Sequence, residues 1–291
     1  MNSEDPAFFS RARVAILGLG LMGGSLALAL RGQVGEILGI DPDPHTLALA
    51  RELDLAGRLD ARPERLLPEA DLVVLAAPVR ANIAVLEQLA EFVPGEAVVT
   101  DVGSTKRTTV DAARRLPSRL TFIGGHPLAG ATHTGISSAS ADLFERRPWF
   151  LTPQEGATSQ LGRLSAWVEG LGGVPRIVDA AAHDELVAFV SHLPQVVSSA
   201  LMLVVGDAVG TEGLRHGGQG LSDTTRLAAS AGSVWTDVCG SNADRLGQAL
   251  DRLIAELQRT RSSLGQEDAI AQLFGKAAAW RRDLEARTDE P

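Results

Sequence analysis

One cysteine, Cys239, and no tyrosine stand among 291 residues, and only 4% of the chain is aromatic. A lone thiol closes no intrachain disulfide and builds no cysteine cluster for zinc, as is usual for chains of a reducing, cytoplasmic compartment. Nothing in the sequence accounts for the missing tyrosines. Positive charge is scarce too: 27 Lys and Arg against 36 Asp and Glu leave a net charge of −9. Phosphate backbones need a basic face, so nucleic acid is not an expected partner, although a local arginine pocket is compatible with this balance. Long apolar runs are few. Val14 to Leu30 is uncharged, follows Arg11 and Arg13, and imitates a signal peptide. It is short for a membrane span and is weakened by Gly18, Gly20, Gly23 and Gly24. A strand-turn-helix explains the same residues, so a soluble, cytoplasmic chain with no membrane partner is expected. The composition, 45% hydrophobic and 22% charged, is globular, and the length allows one large domain or two ordinary ones.

The first half alternates short apolar runs with helical spacing. Strands are expected at Arg13–Leu17, Glu36–Ile40, Leu72–Ala76, Ala97–Thr100 and Thr121–Ile123, with a last one at Trp149–Thr152. Such short, uninterrupted runs bounded by turn residues are typical of buried parallel strands. Helices are expected at Ser25–Leu30, Pro44–Leu53 and Asn82–Phe92 between them. This alternation predicts an α/β fold, a doubly wound Rossmann-type sheet over residues 1–153. From Pro153 the texture turns helical. Leu161–Leu171 ends at Gly172-Gly173, and His183–Val205 is apolar with a kink or break expected at Pro194. Gly206–Ser222 is glycine-rich and reads as irregular, while Ala243–Leu264 and Asp268–Arg287 read as amphipathic helices. Residues 154–291 are thus expected to form an all-helical domain whose apolar faces suit a homodimer interface, although a self-contained bundle would use the same pattern.

Gly18-Leu19-Gly20-Leu21-Met22-Gly23 follows a strand and opens a helix. In such a turn the first glycine permits the tight bend, the second admits a pyrophosphate, and the third lets helix and strand pack closely. Amides at the helix start then serve the phosphates. Asp41 ends the next strand, where a carboxylate accepts ribose hydroxyls and repels a 2′-phosphate, which favours NAD over NADP; capping the Asp41-Pro42 turn is its structural alternative. Ala76, Ala77 and Pro78 end the fourth strand and are small enough for a cofactor to lie against. No metal site is expected.

Chemistry is expected where later strands end. Ser104 and Lys106 follow Asp101, and His126 lies in Gly124-Gly125-His126-Pro127-Leu128-Ala129-Gly130. Imidazole exchanges protons near neutral pH, so His126 is the natural base, unless it is a loop histidine with a single hydrogen bond. His183 and His192 lie nine positions apart in the helical half, and Arg226 is suited to a substrate carboxylate.

Gly18 to Gly24, Asp101 to Lys106, Gly124 to Gly130, Ser191-His192-Leu193-Pro194, and Asp223 to Arg226 with Trp235 occur in one order across nearly the whole chain. Together they resemble the prephenate/arogenate dehydrogenase family of tyrosine biosynthesis. The resemblance implies a dinucleotide-binding domain, a helical dimerisation domain and an oxidative decarboxylation. In that reaction hydride passes from the ring carbon bearing the 4-hydroxyl to NAD⁺, the ring carboxylate leaves as CO₂, and the ring becomes aromatic. It further implies that His126 accepts the hydroxyl proton, Ser104 orients His126 and the nicotinamide, and Arg226 holds a substrate carboxylate. His192, Gln195, Thr132 and Trp235 fall at the substrate end, Trp235 at a position that in relatives reaches the neighbouring subunit's site. Two departures stand out. Gln195 replaces a second histidine found in several prephenate-using relatives, which opens the choice between prephenate and arogenate. Thr132 replaces a glutamate able to pair with the arginine, so that pairing is either absent or supplied elsewhere, with Asp223 the candidate. Other dehydrogenases with a helical second domain, such as the 3-hydroxyacid dehydrogenases, usually rely on a lysine in that half, where only Lys276 is available. An NAD-binding protein without turnover is disfavoured by the density of polar groups at the strand ends.

Overall fold

The structure, a computed structural model, describes residues 9–130 and 134–288. The chain divides into two compact units, residues 1–242 and 243–291. The first opens with β1 (Arg13–Leu17), α1 (Leu21–Leu30), β2 (Glu36–Ile40), α2 (Pro44–Glu52) and β3 (Arg58–Asp60). It continues through β4 (Leu72–Leu75), α3 (Val79–Phe92), β5 (Ala97–Asp101), α4 (Arg107–Ala113), β6 (Leu120–Pro127), β7 (Pro148–Pro153), α5 (Thr158–Gly170) and β8 (Val174–Ile177). All eight strands form one sheet in the order β3-β2-β1-β4-β5-β6-β7-β8, parallel except where β7 runs against β6.

Side chains alternate across a strand, and here both faces are apolar. Val14, Ile16, Leu72 and Val74 bury into one core cluster, whereas Ala15, Leu17, Val73 and Leu75 bury into a second. Helices cover both faces, which is why these strands read as continuous apolar runs. The chain reverses its winding between β1 and β4, and ligands bind outside the carboxyl ends of strands at such a switch point.

The sheet extends past Pro153, because β8 pairs with β7 in parallel. Two strands lie outside the expected set. β3 is three half-buried residues, and β8 is an edge strand holding Pro175 and the exposed Arg176. Neither carries the apolar run of a central strand, and proline is tolerated at an edge.

After β8 the unit is helical: α6 (Ala180–Val187), a π-helical turn at Ala188–His192, α7 (Leu193–Leu214), α8 (Gln219–Thr225) and α9 (Gly232–Ser241). Asp179 caps α6 by accepting from the amides of Ala181 and Ala182. Pro194 does not break the run. It falls in the first turn of α7, directly after the π turn, where the missing amide and the ring are accommodated. Nor is Gly206–Ser222 irregular as a whole: α7 runs to Leu214 with a kink at Gly210 (φ 62°), and α8 begins at Gln219. The combined run Ala180–Leu214 is, among the described residues, the one helix long and apolar enough to cross a membrane. Its first half, however, buries the polar residues His183, Asp184, His192, Gln195 and Ser198. The second unit consists of α10 (Ala243–Ser262) and α11 (Glu267–Thr288).

Candidate active site

The glycine turn at the end of β1 is shaped to receive a ligand. Gly18 has φ +94°, and a β-carbon there would lie 2.8 Å from the backbone of Ala76 and Ala77. At Gly23 a β-carbon would come within 1.8 Å of the Gly18 carbonyl oxygen, so α1 leans on the turn through a bare backbone. Gly20 is different: nothing lies within 4 Å of where its β-carbon would be. Two glycines therefore close the turn, and the middle one opens onto the space a pyrophosphate needs, with Leu21 and Met22 starting α1 behind it. Asp41 follows β2. Its Oδ2 accepts from the Leu19 amide at 2.8 Å and its Oδ1 from the Asp43 amide at 2.9 Å. The carboxylate thus caps its own turn and ties it to the glycine turn, with lone pairs remaining on both oxygens. Beyond β4, the Ala77 amide donates to Asn82 Oδ1 and Pro78 precedes α3. These residues fit a dinucleotide laid across the switch point.

A buried polar cluster lies where β5 and β6 end. Lys106, wholly buried, forms an ion pair with Asp101 and donates to the Gly125 carbonyl at 2.7 Å. Asp101 also accepts from the amides of Gly103 (2.9 Å) and Gly125 (3.0 Å). Burial pushes the Lys106 ammonium below its usual range, against the pull of Asp101. The Gly-Gly pair before His126 admits these contacts. A β-carbon on Gly124 would lie 2.3 Å from Thr152 Oγ1 and 3.2 Å from Lys106 Cδ, and one on Gly125 would lie 2.4 Å from the Asp101 carbonyl oxygen.

His126 is 7% exposed and sits inside β6, opposite Phe150 of β7. The strand is longer than its apolar run and carries the histidine as a ladder residue. Its Nδ1 lies 2.8 Å from His183 Nε2, and His183 Nδ1 lies 2.8 Å from Asp184 Oδ1. Phe150 packs edge-on against the His183 ring. Asp184 in turn accepts from the amides of Lys106 (2.7 Å) and Arg107 (3.0 Å) and from Arg107 Nε (3.2 Å). It therefore takes the place of a side-chain cap on α4, which has none of its own. Burial lowers the pKa of His126 well below the ordinary histidine value, and positive charge on His183, Lys106 or His192 would lower it further. Burial also lowers His183, partly opposed by its hydrogen bond to Asp184. Burial resists ionisation of Asp184, but the hydrogen bonds from His183, Arg107 and Lys106 prevail and hold its carboxyl below the usual range. His126 is thus a neutral imidazole at physiological pH.

The remaining expected residues divide into two groups. His192 is buried in the π turn, packs edge-on against Trp235 with centroids 6.0 Å apart, and is pushed down to about 4 by burial. Its Nδ1 faces Asn242 Nδ2 at 3.4 Å; Asn242 also donates to the Asp184 carbonyl and accepts from Arg107. Gln195 is buried, donating to the Leu227 carbonyl at 2.6 Å and accepting from Ser230 Oγ at 3.2 Å. Arg226 begins the turn that Gln195 grips; it is exposed and has no ion pair among the described residues. Asp223 is bonded to Gln219 and not to Arg226. Ser104 is half-buried in the turn between Asp101 and Lys106, without a side-chain hydrogen bond among the described residues. Thr132 lies outside the described residues. Sequence reading does not single out Asp184 or Asn242, and it singles out His183 only by its spacing from His192. A histidine-aspartate pair one turn into a capped helix was the available signal for the first of these; Asn242 offers none.

Comparison with known proteins gives a consistent picture. The family model described as the nucleotide-binding domain of prephenate dehydrogenase matches residues 26–176, and that described as its dimerization domain matches residues 179–275. The prephenate dehydrogenase of Bacillus subtilis (strain 168) is 33% identical over 286 residues, covering 94% of this chain and 76% of its own. The crystal structure of A. aeolicus prephenate dehydrogenase in complex with hydroxyphenyl propionate and NAD⁺ is 28% identical with a TM-score of 0.86, covering 95% of this chain and 99% of that one. Synechocystis arogenate dehydrogenase is 29% identical with a TM-score of 0.79, covering 94% and 99%.

Proposed function

We propose, from the premise that this chain belongs to the prephenate dehydrogenase family, that it oxidatively decarboxylates prephenate to 4-hydroxyphenylpyruvate for tyrosine biosynthesis, with NAD as cofactor. The observation that carries this reading is a neutral, buried His126 held through Nδ1 at the carboxyl end of the sheet that bears the glycine turn. Bound NAD⁺ supplies the hydride acceptor. The glycine turn with Gly18, Gly20, Leu21, Met22 and Gly23 holds the pyrophosphate, Asp41 the adenosine ribose, and Ala77 and Pro78 the wall beside the cofactor. His126 takes the proton from the 4-hydroxyl as the carbonyl develops, Ser104 faces the nicotinamide side, and Arg226 meets a substrate carboxylate. His192 and Trp235 form the substrate wall in the helical half, and Thr132 belongs to the same end.

Arogenate is the second reading. It is favoured by the likeness to an arogenate dehydrogenase. We assign the dinucleotide to the α/β part, with its boundary drawn after β8, and assembly to the helical part. A second copy of the chain as partner is supported by the dimerization-domain match and by Leu203 and Val204 of α7 and Phe274 and Trp280 of α11, all more than 60% exposed. That role also explains the apolar length of Ala180–Leu214 without a membrane, and a cytoplasmic location agrees with the lone cysteine.

The test is NADH formation and CO₂ release by the purified protein with prephenate and with arogenate. Turnover of prephenate is expected; preference for arogenate selects the second reading, and turnover of neither overturns both. His126→Asn is expected to retain NAD binding and to lower kcat by about two to four orders of magnitude.

A further inference from the structure

Asp184 fixes the protonation of two histidines in series. A carboxylate that already accepts from the Lys106 and Arg107 amides and from Arg107 Nε has only acceptor capacity to offer, so His183 Nδ1 must carry the proton between them. Neutral His183 then has a bare Nε2. The 2.8 Å contact to His126 Nδ1 requires one proton, and only His126 can supply it. Neutral His126 is therefore protonated at Nδ1 and bare at Nε2, the nitrogen a base needs.

We infer that His183, backed by Asp184, is the positioning residue for His126: it selects the reactive tautomer and receives the proton that His126 passes on. The inference rests on the proposed dehydrogenase reading. As the substrate hydroxyl is oxidised, its O–H bond breaks and the proton bonds to His126 Nε2. The Nδ1 proton of His126 crosses to His183 Nε2, and the Nδ1–H of His183 stays on Asp184. Positive charge thus rests on His183 against a carboxylate instead of on His126. The electron pair of the ring C–H bond leaves as hydride to bound NAD⁺, so no further oxidant is required. The C–CO₂ bond breaks, its electron pair makes the ring aromatic, and the proton returns along the same path to the 4-oxygen, which restores both neutral histidines.

The surroundings favour this direction of transfer. His126 is faced by His183 from α6, Lys106 from the turn after β5, and His192 from the π turn, none of which offers it a counter-charge. His183 is faced by Asp184, Asp101 and Lys106, two carboxylates against one cation. A cation is therefore better placed on the second ring than on the first. The β6 ladder and the Phe150 ring hold the two imidazoles in their edge-to-face pose, with centroids 5.0 Å apart.

Two measurements test the relay. In the ¹⁵N-histidine-labelled full chain near neutral pH, the His126 resonances, identified by their loss in His126→Asn, should show a protonated Nδ1 and an imine-type Nε2. A protonated Nε2 overturns the inference, and because the spectrum needs no substrate it does so whether or not the chain proves to be a dehydrogenase. In His183→Gln the amide oxygen still accepts from His126 Nδ1 but cannot take its proton. Its kcat should fall by about a hundredfold, with KM for substrate and for NAD unchanged within about twofold. An unchanged kcat overturns the relay. Raised KM values alongside a lowered kcat assign His183 to packing and overturn it equally. Absence of turnover by the wild-type chain refutes the proposed function alone.

Discussion

Gln195, expected at the substrate end, has both ends of its amide engaged within the chain. Nε2 donates to the Leu227 carbonyl and Oε1 accepts from Ser230, so the side chain clamps the turn that opens with Arg226. On the proposed reading, in which Arg226 meets a substrate carboxylate, its effect on binding should therefore run through Arg226 and that carboxylate, a group prephenate and arogenate share, and not through the side chain that distinguishes them. Gln195→Ala leaves a buried carbonyl without its donor, a loss of about 1–3 kcal/mol, part of which loosens the turn. Steady-state kinetics should show KM rising for prephenate and arogenate alike, by about tenfold, equivalent to about 1.4 kcal/mol. The ratio of the two kcat/KM values should stay constant. A shift in that ratio would return the amide to direct contact with the substrate side chain.

At the level of elements, the site is set by how closely β6 approaches β5, β7 and the Asp101–Lys106 turn. Gly125→Ala would drive a β-carbon to 2.4 Å from the Asp101 carbonyl oxygen and 3.1 Å from Trp149 Nε1, neither of which moves freely. Urea unfolding should show a loss of about 2 kcal/mol or more, the cost of overpacking a tight core, whereas Gly95→Ala, with open space at its β-carbon, should stay within about 0.5 kcal/mol. Equal stability of the two variants would show that β6 can shift and that the pair of glycines is not needed for packing. The same elements show why sequence reading succeeds and where it stops. Strands such as Arg13–Leu17 and Glu36–Ile40 are apolar on both faces and so announce themselves, and the glycine turn has a fixed spacing because backbone contact enforces it. β3 and β8 are edge strands with polar or proline residues, and an apolar-run criterion passes over them. His126 stands out in the sequence as a candidate base, but its partner does not. The contact to His183 spans 57 positions and depends on a π turn and a capped helix that no local pattern encodes.

Across the first unit as a whole, the polar interior is unusual in holding three histidines, His126, His183 and His192, each with its pKa lowered by burial. An unfolded chain binds a proton at each of them near pH 6.5, while the folded chain resists until lower pH. Between the two values the unfolded state holds more protons, so stability is fully present above about pH 6.5 and is lost as pH falls toward the folded values. For His192, pushed to about 4, the loss reaches about 2 kcal/mol by pH 5. The lowered carboxyls, Asp43, Glu69 and Asp184, act elsewhere: what they contribute is lost only as pH falls below their ordinary values of 3.8 to 4.5. Falling self-repulsion works the other way, because a net charge of −9 at pH 7 shrinks toward the isoelectric point near 5.2. A mutant control separates the two effects. Urea unfolding at pH 7.5 and pH 5 should show the wild-type chain losing stability on acidification, and His192→Asn, which removes one titrating ring and leaves the surface charge intact, losing about 2 kcal/mol less. Identical losses in the two proteins would mean that His192 stays accessible to protons in the folded state, and that the interior around the His126–His183 pair is wetter than its burial implies.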